Sequence, residues 1–184
     1  STDCVVGITH LEIAAKEANY SWIEASNVLT YAYLHLERDY ENARRIILPL
    51  SEQFPRHPFF AFLKGEMLAK TESWEELNEF LPQLQVFAQN GPFLQQNECQ
   101  LKLAYIKGIK AYKSGNYKES IKQSTWMLSN YHMEFDWLRG FAYFLRGQSY
   151  EVIGEIGLAI ADYEEVLTMD NYYLEVEEAK ERIH

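Results

Sequence analysis

Histidine and carboxylate side chains are the first candidates for chemistry in this chain, because they supply most acid–base and metal-binding groups in enzymes. None of the five histidines stands in a metal-binding spacing such as HExxH. Carboxylates adjoin at positions 75–76, 164–165 and 177–178, but neighbouring residues of a helix point in different directions. GxSxG and P-loop motifs are absent. The sequence therefore predicts no enzymatic activity, no cofactor and no bound metal.

Composition restricts the kind of partner. The formal net charge is -10 and the pI about 5.0, so nucleic acid would be repelled. No apolar run approaches the roughly 20 residues that a membrane-spanning helix needs. We expect a soluble protein, cytoplasmic or periplasmic, without membrane insertion. Cys4 and Cys99 form no CxxC motif and are interpreted as buried or incidental thiols, with a disulfide left open.

Two segments within residues 101–170 repeat the same spacing of small residues. In each, a second glycine follows a first by seven residues, as Gly108 with Gly115 and Gly147 with Gly154. Twelve residues after the first glycine stand Ser120 and Ala159. A first glycine lets two helices approach closely, and a second glycine ends a helix in a left-handed turn. The pattern predicts a helical hairpin that occurs twice.

The same spacing extends towards the N-terminus. Gly65 precedes Trp74 by nine residues, and Tyr40 precedes Trp74 by 34. Glu72 stands where the turn glycine would be, and Pro55 would close the first helix pair. A period of 34 residues with this order of small, aromatic and closing residues resembles the tetratricopeptide repeat (TPR).

The resemblance implies an all-α fold, a TPR-like right-handed α-solenoid of about four antiparallel helix pairs with end helices. We expect residues 1–184 to form a single domain. The helix pairs are expected at approximately 22–55, 56–90, 95–132 and 134–170. Residues 3–19 predict a helix whose partner is missing, which favours a fragment of a longer protein.

The ends of helices carry further signals. Residues 171–184 predict a capping helix, with a helix that connects to further repeats as the alternative. Its charged residues, Glu175 and Glu178 among them, are expected on a solvated face and Val176 on an apolar one. Ser73 and Glu76 have the spacing of a capping box. The chain from its start through PRHPFF also resembles the C-terminal region of longer bacterial repeat proteins.

In TPR proteins the first helix of each pair lines a concave face, and the resemblance assigns residues of this chain to it. They are Phe59, Phe62 and Lys70 in the second pair, Lys102, Tyr105, Ile109 and Lys113 in the third, and Phe141, Phe144 and Gln148 in the fourth. Aromatic residues at three levels would hold an extended peptide or an amphipathic helix. The alternative is that these aromatic residues only pack between neighbouring helices.

Charge is unevenly distributed along the second half of the chain. Residues 101–139 carry seven basic residues against three acidic ones, whereas residues 140–184 carry three against ten. We expect Lys102 and Lys113 to favour an acidic group on the partner, although a solvated lysine face is an equal alternative.

The sequence thus predicts a non-catalytic protein–protein interaction module that binds a partner peptide or helix in a concave, aromatic-lined groove. The partner is a protein or peptide whose identity the residues do not reveal. The alternative function is an assembly scaffold or self-association segment of a longer repeat protein, in which the groove is not used.

Overall fold

The computed structural model describes residues 22–169 and 173–183, and this part of the chain is all-α, without strands. The predicted helix at residues 3–19 lies outside the described residues, as do residues 171, 172 and 184 of the predicted capping segment. A π-helical turn, Ala32–Leu36, continues the first helix. The helices are α1 (Trp22–Tyr31), α2 (Tyr40–Gln53), α3 (Pro58–Lys70), α4 (Trp74–Gln89), α5 (Phe93–Lys113), α6 (Tyr117–Ser129), α7 (Trp137–Val152), α8 (Ile156–Leu167) and α9 (Leu174–Ile183).

Each helix packs against the next one along the chain, and the odd-numbered helices also meet one another. Helix α3 contacts α5, α5 contacts α7, and α7 contacts α9. Helices α4, α6 and α8 each contact the two odd-numbered helices beside them in sequence. Each of the four ranges predicted for helix pairs corresponds to two helices, although α5 begins at Phe93, two residues before the predicted bound. One row of helices therefore brings the side chains of α3, α5, α7 and α9 together.

The turn inside each helix pair is made by a residue with left-handed backbone conformation. These residues are Arg38 (φ 51°), Glu72 (φ 59°), Gly115 (φ 76°) and Gly154 (φ 86°). In the last three pairs the same backbone hydrogen bond closes the helix, from Ser73 to Leu68, Asn116 to Ala111 and Glu155 to Tyr150. The prediction that Glu72 replaces a turn glycine is confirmed.

The first glycine of each of the last three pairs lies where helices approach closely, as predicted. A Cβ on Gly147 would lie 2.7 Å from the ring of Tyr163 and 3.3 Å from the carbonyl oxygen of Ala159. A Cβ on Gly65 would lie 2.7 Å from Leu84. Side chains larger than hydrogen at these positions would force neighbouring atoms to move.

The capping box predicted at Ser73 and Glu76 is wrong. Ser73 precedes α4, but its side chain makes no capping hydrogen bond and instead lies 3.0 Å from the hydroxyl of Thr71. Glu76 pairs with Arg44 of α2 at 3.1 Å. The left-handed turn directs the hydroxyl of Ser73 towards the preceding helix end, where Thr71 is a nearer partner than the backbone of α4.

Most of the buried apolar residues form one cluster that extends from α1 to α7, with Leu34, Met67 and Leu101 at its centre. A smaller cluster joins α7, α8 and α9 and includes Tyr163 and Val176. Over residues 22–169 and 173–183, no helix has both the length and the apolar character needed to cross a membrane.

Candidate functional site

The residues predicted for the partner face line two neighbouring cavities along the odd-numbered helices. Cavity A, of about 250 Å³, is lined by Lys70, Tyr105, Ile109, Lys113, Phe141, Phe144 and Gln148, together with Arg38, Tyr40, Tyr112, Leu145, Glu175 and Glu178. Cavity B, of about 390 Å³, is lined by Phe59, Phe62 and Lys102, together with His57, Pro58, Gln95, Glu98 and Cys99. All ten predicted residues therefore lie on one surface, which we call the first-helix face.

Helical spacing explains why residues distant in sequence reach the same surface. On α5, Lys102, Tyr105, Ile109 and Lys113 follow one another at intervals of three or four residues, so their side chains point to one side of the helix. Helices α3 and α7 contact α5 and present residues at the same kind of spacing.

An aromatic cluster fills the first-helix face between the two cavities. We define it as Tyr31, His35, Trp137, Phe141 and Tyr173. The rings of His35 and Phe141 stack at 4.9 Å between centroids, and Tyr31 meets Trp137 edge-on at 6.0 Å. Tyr173, which precedes α9, lies 5.1 Å from Phe141. Side chains from the first helix pair, from the fourth helix pair and from the residue before α9 thus close the middle of the face.

Burial divides the predicted residues into two groups. Phe62, Tyr105, Ile109, Phe141 and Phe144 are buried, with Tyr105 only 6% exposed, and their side chains serve largely as packing. Phe59, Lys102 and Gln148 are partly exposed and Lys113 is exposed. The side chain of Lys70 is only 9% exposed and belongs to the buried group. A partner would touch mainly the second group.

Beneath the aromatic cluster lies a buried polar network of His35, Glu66 and Lys70. Lys70 Nζ lies 3.0 Å from Glu66 Oε1, and His35 Nε2 lies 3.7 Å from the same oxygen. The Lys70 ammonium donates to His35 Nδ1 at 3.4 Å. The imidazole that accepts this bond is neutral at that nitrogen.

Burial and opposed charges set the ionisation of this network. Burial, opposed by Glu66 and aided by the positive charge of Lys70, lowers the pKa of His35 to about 3. Burial would raise the pKa of Glu66, but the Lys70 ion pair and the nearby His35 hold it below its usual value. The network therefore contains one ion pair and a neutral imidazole at physiological pH.

The two lysines expected to attract an acidic partner already have intramolecular partners. Lys102 pairs with Glu98 at 2.5 Å and lies over the rings of Phe59 and Trp137. Lys113 pairs with Glu72 at 2.9 Å. A partner carboxylate would have to compete with these glutamates.

Helix α9 brings acidic residues to the first-helix face. Arg38 Nη2 lies 3.5 Å from Glu175 Oε1, and Arg38 also pairs closely with Glu178. Glu175 is 6% exposed, so the prediction that it lies on a solvated face is wrong. A signal for its burial was present, because Glu175 precedes the fully buried Ala179 by one helical turn. Nothing in the sequence identified Arg38.

A third cavity, which the sequence did not indicate, opens between α4, α5 and α6. Its volume is about 570 Å³, and its lining includes Lys107, Lys122 and the 40% exposed Trp126. Three glutamines, Gln85, Gln89 and Gln100, line its α4 and α5 walls. Its residues lie outside the first-helix face and so provide a reference surface for experiments on that face.

Among the described residues no group of three or more histidine, cysteine, aspartate or glutamate side chains could hold a metal ion. Cys99 is a free, buried thiol whose pKa burial raises to about 11, so it stays protonated and unreactive at neutral pH. Cys4 lies outside the described residues.

A scan of protein-family models, a search of curated proteins and a search of solved structures each found no match to this chain.

Proposed function

We propose that this chain is a non-catalytic protein–protein interaction module, a TPR-like right-handed solenoid that binds a peptide or helix of a partner on the first-helix face. The observation that carries the proposal is that residues from three successive first helices line cavity A, and that residues from two of them, α3 and α5, line cavity B. The contacts among α3, α5, α7 and α9, and the recurring left-handed turns, agree with such a repeat.

The chemistry of the face supports a peptide rather than a small molecule. Aromatic rings and lysine side chains alternate across the two cavities, and the cavities open along a row of helices. An elongated surface of this kind suits a segment that places successive side chains in separate cavities. Partly exposed Phe59 and exposed Lys113 stand near its two ends.

The test is affinity capture from the lysate of the source organism, followed by a binding measurement with the purified partner. The variant Phe59→Ala/Lys113→Glu changes the accessible parts of both cavities. Tyr105 and Phe144 are poor choices because their removal would leave holes in the core. The control is Trp126→Ala, which alters the cavity between α4, α5 and α6.

We expect a partner that the wild type and Trp126→Ala retain and that Phe59→Ala/Lys113→Glu loses by at least about tenfold in affinity, or about 1.4 kcal/mol. Identical captures by all three proteins would contradict binding on the first-helix face.

A second candidate function is assembly through exposed apolar side chains. Val152, Ile153, Ile156 and Leu158 surround the turn between α7 and α8, and each is at least 41% exposed. Adjacent exposed apolar residues mark association surfaces. Light scattering should then find oligomers that Ile153→Ser/Ile156→Ser reduces to monomers. A monomeric wild type at all concentrations tested would reject this candidate.

A further inference from the structure

Part of the chain's own C-terminal segment is bound to the first-helix face. The ring of Tyr173 lies against three members of the aromatic cluster, at 5.5 Å from His35, 5.1 Å from Phe141 and 6.5 Å from Trp137. These neighbours come from the helical turn after α1 and from α7. One aromatic side chain thus fills a site built by two distant helix pairs.

Two carboxylates follow this ring and reach a cationic part of the same face. Glu175 and Glu178 both pair with Arg38, and Lys70 and Lys113 line cavity A with them. The side chain of Glu175 is almost completely buried, yet its Oε2 has no hydrogen-bond partner. Arg38 therefore binds two carboxylates of α9, but burial raises the pKa of Glu175, so this site compensates the charge of that carboxylate incompletely.

Other residues of α9 hold it on the last helix pair. Val176 and Ala179 pack in the smaller apolar cluster with Tyr163 and Val166. Arg182 pairs with Glu151 at 2.5 Å. The contacts of α9 with the last pair are thus made by different residues from those that meet the aromatic cluster and Arg38.

We propose that the first-helix face recognises a partner segment with an aromatic residue followed two and five positions later by carboxylates, and that residues 173–178 occupy this site as an intramolecular competitor. The partner is a different protein with a short acidic, aromatic segment. Charge complementarity favours this occupant, because Arg38 contacts two carboxylates of α9. Lys70 and Lys113, which pair with Glu66 and Glu72, line the same cavity. The inference rests on the proposed function and adds the partner's chemistry and its competition with α9.

The experiment uses the full chain and a fluorescein-labelled peptide, YLEVEEAKERI, which copies residues 173–183. We call the variant Tyr173→Ala/Ala179→Lys the opened variant. In it, the segment before α9 loses its aromatic side chain and α9 receives a charge at a fully buried position, so the helix leaves its site. The control is Glu177→Gln, because Glu177 is exposed and pairs with Lys180 of the same helix.

Fluorescence anisotropy should find the peptide bound at least tenfold more tightly by Tyr173→Ala/Ala179→Lys than by the wild type or Glu177→Gln. Adding Arg38→Glu to the opened variant should remove at least tenfold of the affinity. A peptide with lysines in place of its acids at positions 175 and 178 should recover binding to that Arg38→Glu protein.

Equal peptide affinities for the wild type and the opened variant would overturn the proposal. An unchanged affinity of the opened variant after Arg38→Glu is added would also overturn it. A wild-type dimer that Arg38→Glu dissociates would assign the site to a second copy and would also overturn it. Circular dichroism checks the opened variant. If it has lost helix, hydrogen exchange in wild-type α9 decides instead, because excess unlabelled peptide should accelerate it and unchanged exchange would reject the proposal.

The two proposals fail separately. Loss of a captured partner by Phe59→Ala/Lys113→Glu, together with no peptide binding by the opened variant, would leave the interaction function standing and reject only the acidic, aromatic partner and its competition with α9.

Discussion

The four residues with left-handed backbone conformation in the turns differ in conformational strain. Gly115 and Gly154 adopt positive φ without a penalty, whereas Glu72 and Arg38 carry a Cβ in a conformation that L residues avoid. Glu72 has a compensating ion pair with Lys113, and Arg38 has two with α9. Backbone strain is therefore found at turn residues whose side chains form ion pairs with a helix outside their own helix pair.

Strain at Glu72 predicts a difference between two substitutions. Glu72→Ala and Glu72→Gly both lose the exposed ion pair with Lys113, but only glycine also relieves the backbone. We expect Glu72→Gly to be more stable than Glu72→Ala by about 1 kcal/mol in urea denaturation. Gly154→Ala, with open space around its Cβ position, should lose a similar amount. Equal stabilities of the two Glu72 variants would contradict the left-handed conformation.

Buried, neutral His35 predicts a pH dependence of stability. Its pKa in the folded protein, about 3, lies below the unfolded value of about 6.5. As pH falls below about 6.5, the unfolded chain binds a proton that the folded chain excludes, so the free energy of unfolding decreases by up to about 1.4 kcal/mol per pH unit.

Urea denaturation from pH 7 to 5 measures this slope. In His35→Phe the ring stacking can persist while the titration is absent, so the slope should decrease by about 1 kcal/mol per unit. His57→Phe, at an exposed position, serves as the control. The same slope in His35→Phe as in the wild type would disprove the role of His35.

At the scale of helices, position 147 needs glycine because α7 and α8 approach each other closely there, and not because of the backbone conformation of a turn. Its hydrogen faces the ring of Tyr163, whose hydroxyl donates to Glu151 at 2.6 Å. The ring is thus fixed at both ends and has little freedom to move. Leu84, which faces Gly65, has a flexible end and can rotate.

Gly147→Ala should therefore destabilise the protein by about 2–3 kcal/mol, because the added methyl group overpacks the junction of α7 and α8. Gly65→Ala should cost less, since the nearest atoms are the ends of flexible side chains. Gly157→Ala, in α8 with no atom near its Cβ position, should stabilise by about 0.5–1 kcal/mol. Denaturation midpoints that rank the three variants differently would contradict the packing described here.

At the scale of the whole molecule, Arg38 connects the first helix pair to the last helix. Repeat arrays usually gain stability from nearest neighbours alone. Here Glu175 and Glu178 contact a residue from the opposite end of the described chain, and Tyr173 adds an aromatic contact to His35. Unfolding of the ends should therefore be coupled.

A double-mutant cycle of Arg38→Ala and Glu178→Ala measures this coupling. We expect an interaction free energy of about 1 kcal/mol, because the pair is only partly exposed. The exposed pair of Glu177 and Lys180 should give a value near zero. Hydrogen exchange in α1 should also accelerate in Glu178→Ala, and unchanged exchange there would mean that the two ends unfold independently.

The sequence alone determined the helical class, the left-handed turns at Glu72, Gly115 and Gly154, and the side of each first helix that carries Phe59, Tyr105 or Phe144. These features are local. A residue that adopts the left-handed conformation follows, seven positions later, the glycine at which two helices approach closely. Helical spacing places residues three or four positions apart on the same side of a helix, independently of its neighbours. The capping box at Ser73 was wrong because a neighbouring hydroxyl competed for the same side chain, which spacing does not reveal.

Only the tertiary structure showed how much of the first-helix face is covered by other parts of the chain, and which residues cover it. The burial of Glu175, its pairing with Arg38, the network of His35 with Lys70 and the position of Tyr173 all join residues far apart in sequence. Such contacts depend on how helices distant in sequence pack against one another. No local pattern of residues specifies that packing, so the closure of the first-helix face by α9 became visible only in the folded chain.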